Sequence, residues 1–109
     1  MAAKLLKNLS FFMTKEEISE LTIKETEDGT MIVTVDLHNT GCLNSKIKLK
    51  NITASYPGAF VLDIIHGYTH GTDLKHMLNT KLNEISNRFI SISSKQGNSG
   101  ESIIFVSAR

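Results

Sequence analysis

Phe60-Val61-Leu62-Asp63-Ile64-Ile65-His66-Gly67-Tyr68-Thr69-His70-Gly71 is the stretch that decides the fold. Its first six residues are a short, nearly continuous apolar run, which predicts a strand inside a sheet. Glycines at 67 and 71 bound the loop that follows. From Thr72, Leu74, Met77, Leu78, Leu82 and Ile85 recur on one face of a helix. Strand, crossover helix and strand in succession predict parallel pairing through right-handed connections.

Upstream, Thr30-Met-Ile-Val-Thr-Val-Asp-Leu is a second β-branched run, more apolar than alternation requires, and therefore an inner strand. It forms a hairpin with Leu21-Thr-Ile-Lys-Glu-Thr around Glu27-Asp28-Gly29, because Asp-Gly readily supplies positive φ. Between the two inner strands, Leu43 to Tyr56 reads as a helix closed by Pro57-Gly58, although Leu43, Ile47, Leu49 and Ile52 form no single stripe. Lys4 to Met13 has helical spacing, and Thr14 with Glu17 is a capping-box pattern. Downstream, Phe89-Ile-Ser-Ile-Ser alternates as a strand, Gln96 to Gly100 turns, and Ser102 to Val106 closes the sheet. The expected fold is a two-layer α/β sandwich with a mixed, mainly parallel sheet of four or five strands and two main crossover helices. Residues 1–30 are expected as a helix-and-hairpin extension and 31–109 as the domain proper.

A chain of 109 residues has room for one domain, and 40% apolar with 21% charged residues is the balance of a folded globular chain rather than a disordered one. The single cysteine, Cys42, excludes an internal disulfide framework. No apolar run approaches the roughly 18 residues of a membrane span, and the N-terminal residues lack a signal-peptide core. The expectation is a cytoplasmic protein with no membrane partner. Net charge is only +1, but residues 16–36 carry seven acids against one base, Lys24, while 37–109 carry eight bases against four acids. No acid occurs from Leu37 to Leu62, where Lys46, Lys48 and Lys50 lie. That excess suits a polyanion, since lysine neutralisation of phosphates supplies most nonspecific nucleic-acid affinity. The competing reading is a solvated face.

Asp36-Leu37-His38 ends one parallel strand and His66-Gly67 ends the next, so Asp36, His38 and His66 are expected to converge at one sheet edge. An aspartate can orient an imidazole, and a second histidine supplies an acid or base near neutral pH, the parts needed for proton transfer in phosphodiester cleavage. The competing reading gives these side chains to loop backbone groups. The loop from His66 through Gly67, Thr69, His70 and Gly71 enters a helix N-terminus, where free amides and Lys75 could hold an anion. His38, His66, His70 and His76 with Asp36 and Asp63 also supply ligand chemistry, but no histidine pair has i, i+4 spacing in one clear helix. Structural zinc is therefore disfavoured and a weakly held Mg or Mn is the alternative.

Asp36-Leu37-His38, then a helix, then Ile64-Ile65-His66-Gly67 with Gly71 and Leu74-Lys75, resembles the Smr (small MutS-related) domain over about residues 31–107. The resemblance implies a nucleic-acid-binding α/β domain, often an endonuclease, with a fold like the C-terminal domain of bacterial translation initiation factor three. By it, Asp36 and His38 would take the catalytic positions, and the His66–Gly71 loop would contact RNA or DNA. Asn39 stands where the family commonly has glycine, Thr69 replaces a middle glycine, and Lys75 replaces the usual arginine. Lysine holds phosphate as a point charge, without the bidentate fork.

Overall fold

The computed structural model describes residues 2–11, 13–37, 40–67, 71–80, 82–95 and 98–109, without the side chains at 2, 71–75, 95, 98 and 99. At the N-terminus, α1 (Ala2–Leu9) buries Leu5 and Leu9, one helical turn apart. The Thr14 hydroxyl then accepts from the Glu17 amide at 3.2 Å while the Glu17 carboxylate accepts from the Thr14 amide at 3.0 Å. This reciprocal pair opens α2 (Lys15–Ser19). Strands β1 (Leu21–Glu25) and β2 (Met31–Asp36) pair antiparallel about the Asp28-Gly29 turn. Gly29 sits at φ 86°, a conformation that side-chain-bearing residues avoid. Asp28 accepts hydrogen bonds from the Thr26 hydroxyl and the Thr30 amide, closing the turn.

Helix α3 (Cys42–Ala54) connects β2 to β3 (Phe60–Ile65). Beyond β3 lie α4 (Gly71–Thr80) and α5 (Leu82–Ile85), within the span expected as a helix through Ile85; Lys81, between them, lies outside the described residues. The hairpin of β4 (Phe89–Lys95) and β5 (Asn98–Val106) completes a five-stranded mixed sheet in the order β1-β2-β3-β5-β4. The closing strand starts at Asn98, earlier than the expected Gln96–Gly100 turn allows.

The expected mainly parallel sheet does not form. Only β2 and β3 pair in parallel, and the β1–β2, β3–β5 and β4–β5 ladders are antiparallel. The reason lies in the last two strands. β5 ends in Ile103-Ile104-Phe105-Val106 and takes the inner place beside β3, whereas serine-rich β4 is left at the edge with irregular register at Phe89/Ser91 and Ser94/Lys95. Irregularities of this kind are common where an edge strand must not template further pairing.

Met31, Val33 and Val35 from β2, Phe60, Leu62 and Ile64 from β3, and Ile104 and Val106 from β5 form one buried cluster with side chains of α1, α3, α4 and α5. Residues 2–30 share this core through Leu5, Leu9 and Met13, and β1 extends the same sheet. Helix α3 explains its untidy sequence pattern: Leu49 and Ile52 enter the core, while Leu43 and Ile47 face outward and are exposed. No helix among the described residues is long and apolar enough to cross a membrane.

Arg88 fastens the end of the sheet where β3 starts. Only 8% exposed, its guanidinium donates from Nε to the Ser107 carbonyl at 2.8 Å, from Nη1 to the Thr53 carbonyl at 2.5 Å and from Nη2 to the Gly58 carbonyl at 2.9 Å. It also lies 6.0 Å from the centroid of the Phe60 ring. Burial, and secondarily the charge of Arg109, lower its pKa below the usual arginine value. The carbonyl at the C-terminal end of α3 favours a cation there.

Two outcomes follow from these local networks. Arg88→Ala should lower the free energy of unfolding by roughly 3 kcal/mol, because charged-donor hydrogen bonds are lost and carbonyls are left buried, and urea titration reads this directly. Acid should also weaken the fold: the Thr14 backbone hydrogen bond holds Glu17 below its ordinary pKa, and the Thr26 side chain does the same for Asp28. Depressed folded values add stability above the unfolded pKa that disappears as pH falls through the folded one. Thermal unfolding from about pH 6 down to about pH 2 should therefore show a decline that is shallower in Glu17→Gln and Asp28→Asn chains, which lack the titrating carboxylates.

Candidate functional site

The C-terminal ends of β2 and β3 are adjacent, as expected. Asp36 is in register with Ile65, and the Leu37 amide extends the pairing to the Ile65 carbonyl at 2.8 Å. The pleat determines which face each side chain meets. Val35 and Leu37 point into the core, so half-buried Asp36 points to the opposite face of the sheet.

His66 follows the other parity. Continuing Leu62 and Ile64, it lies on the helix-covered side at 1% exposure. Its Nδ1 is 3.1 Å from the Gly67 carbonyl and its Nε2 is 2.9 Å from Ser102 Oγ. A carbonyl can only accept, so Nδ1 carries a proton, and the Nδ1–H tautomer lets Nε2 accept from the Ser102 hydroxyl. Both ring nitrogens are thereby occupied. The structure places Asp36 and His66 at neighbouring strand ends but on opposite faces, and it does not bring them together as an acid–base pair. His66 is instead a core histidine with satisfied hydrogen-bonding groups, the competing reading of this residue type.

Gly67 has φ 80°, so glycine is required where the chain leaves β3. The amides of His66 and Gly67 both reach the Gly100 carbonyl, at 2.9 and 3.0 Å, tying this exit to β5. His38, Thr69 and His70 lie outside the described residues, as does the side chain of Lys75; the backbones of Gly71 and Lys75 belong to α4. His76 is exposed on α4. Among the described residues, no group of three or more His, Cys, Asp or Glu side chains is placed to hold a metal ion.

The three α3 lysines do not form one patch. Their spacing of two residues turns each about 200° from the last around the helix. Lys46 leans to one flank, where Nζ is 3.5 Å from a Glu84 carboxylate oxygen, and Lys48 to the other, 3.6 Å from one of Glu20. Lys50 is exposed and, among the described residues, in no ion pair. Near the start of α3, Glu17, Thr40, Gly41, Asn44, Lys48 and Asn51 line an open polar groove.

No protein-family model, no curated protein and no solved structure matches the chain.

Sequence reasoning did not identify Ser102 or Gly100 as partners of the His66 segment. Ser102 was nevertheless detectable in principle: it is a hydroxyl at the head of an otherwise apolar run, Ile103 to Val106, and its inward neighbours on β5 are core residues. Ser102→Ala should destabilise the fold by about 1–3 kcal/mol by leaving Nε2 of His66 buried without its donor. Equilibrium urea unfolding measures this, and a change indistinguishable from zero would contradict the pairing.

Proposed function

We propose that this chain is a nucleic-acid-binding domain of the Smr type, a two-layer arrangement acting in the cytoplasm, and that it cleaves phosphodiester bonds at the C-terminal edge of β2 and β3. The observation that carries the reading is the Asp36–Ile65 register beside the φ 80° turn at Gly67. It sets Asp36 and Leu37, which lead to His38, beside the Ile65–Gly67 exit of β3, which leads to α4, and this supports a site where a phosphate approaches main-chain amides.

In this reading Asp36 orients His38, which acts as base or acid: as base it takes the proton of the attacking hydroxyl as that oxygen bonds to phosphorus, the P–O bond to the leaving strand breaks, and the departing oxygen is protonated from water. His66 holds the loop's exit and has no part in proton transfer. The backbone of Gly67 to Gly71, with Lys75, receives the phosphate, and Lys50 is the α3 lysine left for a further backbone contact. Thr69 and His70 belong to the same loop. Few aromatic residues, and no tryptophan, leave backbone and shape as the basis of recognition rather than stacking on bases.

The test is incubation of purified protein with labelled single- and double-stranded RNA and DNA, with and without chelator. His38→Ala should cut cleavage by about 10²–10⁴-fold while binding persists, the cost typical of a lost general base. A wild-type protein that binds but never cuts would favour a noncatalytic RNA/DNA-binding or protein adaptor module instead. Loss of activity to chelator, restored by Mg or Mn, would assign a metal to the reaction.

A further inference from the structure

At the end of the sheet where β3 starts, the last turns of α3, the approach to β4 and Arg109 enclose an open hollow of about 310 Å³. Lys50, Arg88 and Arg109 line it together with Thr53, Ser86 and Asn87. Three cationic side chains therefore meet at one concavity, and among the described residues no carboxylate side chain lines it with them. Glu84 is the acid nearest to these residues in sequence, and its carboxylate is turned to Lys46 at 3.5 Å. Asp73, the one acid whose side chain is not described, belongs to the first turn of α4, which follows the other end of β3.

The end of α3 accounts for part of this charge. Arg88 donates to the Thr53 carbonyl and Arg109 to that of Ala54, where a helix C-terminus carries about half a negative charge. Two guanidiniums already exceed that, and Lys50 adds a third cation that is in no ion pair among the described residues. Donors also remain. A guanidinium has five N–H groups, and the bonds of Arg88 to Ser107, Thr53 and Gly58 leave one on each terminal nitrogen. Ser86 Oγ accepts from the Arg88 amide at 3.1 Å and keeps its own proton for donation. The charge of Arg109 adds to burial in lowering the Arg88 pKa, as expected of two like charges held close together.

We propose that this hollow binds a phosphate monoester, with buried Arg88 and exposed Lys50 and Arg109 as its cationic partners. A monoester carries about −1.5 to −2 at pH 7, more than the single charge of an internal phosphodiester, and so it matches three cations better. Guanidiniums add the planar fork that suits phosphate oxygens. A small phosphorylated molecule and the phosphorylated end of a nucleic-acid strand present the same group. Phe60 to Ile65 is five steps of about 3.3 Å, which sets the hollow about 16 Å along β3 from the Asp36–Ile65 pair. Its occupation does not depend on the proposed cleavage.

Amide NMR shifts of the full chain, titrated with sodium phosphate near pH 7 at an ionic strength held by sodium chloride, read the site directly. Amides of Lys50 to Ala54 and of Ser86 to Arg88 should move saturably, with Kd on the order of 1 mM. Lys50→Gln and Arg109→Gln, both at exposed positions and both keeping Arg88, should each weaken binding about three- to tenfold. Lys24→Gln, the same charge change on β1, should leave it unaltered. A 5′-phosphorylated oligonucleotide that moves these amides while its unphosphorylated twin does not supports the site and assigns it to strand ends. A mononucleotide that moves them where both oligonucleotides fail supports it and assigns it to a small molecule. Shifts reproduced by chloride alone, a response centred on the Gly67–Gly71 loop instead, or binding unchanged in both glutamine variants overturns the proposal. So does an equal response to the unphosphorylated oligonucleotide, which would give these cations to internal phosphodiesters.

Discussion

Strand β3 carries two ladders of opposite sense, parallel to β2 and antiparallel to β5. Its C-terminal exit is clamped from both sides: the Ile65 carbonyl accepts from Leu37 at 2.8 Å, and the amides of His66 and Gly67 converge on the Gly100 carbonyl. Register is therefore fixed twice. A slip of one residue in either neighbour would turn Val33, Val35 and Leu37, or Ile104 and Val106, out of the core and bring Asp36 or Phe105 into it. The same parity that fills the core sends Asp36 to one face and His66 to the other. The character of the two residues is settled by packing before any chemistry is considered.

That parity has consequences for electrostatics. A histidine at the covered face must satisfy two ring nitrogens without water, and Gly67 and Ser102 do so. At the other end of the sheet, Arg88 meets the same requirement in reverse, spending its donors on carbonyls of Thr53, Gly58 and Ser107. Lys46 and Lys48 straddle α3 and bind Glu84 and Glu20 on its two flanks. A basic count along the sequence thus overstates the basic surface, because several cations work within the fold. The charge left for a polyanion is smaller than eight bases against four acids suggests.

Elements whose signals are local were legible in the sequence. The Thr14–Glu17 capping box, the Asp28-Gly29 hairpin and the β3 run each depend on residues within a few positions of one another, and each forms. The partner of each strand is a longer-range matter. Parallel pairing of β2 with β3 follows from the crossover, but nothing local to β4 or β5 says which of the two lies next to β3. Relative burial decides it: Ile103 to Val106 can be apolar on both faces, while the serines of β4 suit an edge. At the candidate site, the meeting of two strand ends was legible from topology. The face of each side chain was not, because Asp36 and His66 lie on different strands, and their relative parity depends on the Asp36–Ile65 register, which spacing along the chain does not contain.

The pattern of α3 links these points. Its core side needs only Ser45, Leu49, Ile52 and Thr53, whose modest volumes suit a helix lying across the middle of a small sheet. Leu43, 72% exposed, and Ile47 are then surplus to packing, and the sequence shows this as the absence of one apolar stripe. The inner strands show the corresponding surplus, with Ile32, Val61 and Phe105 beyond what one covered face requires. The two differ in extent. On α3 the outward apolar residues stand among Asn44, Lys50 and Asn51, whereas on the sheet they form a row several strands wide. Since the stabilisation from apolar burial scales with area, the row across the strands is the larger apolar surplus of the two.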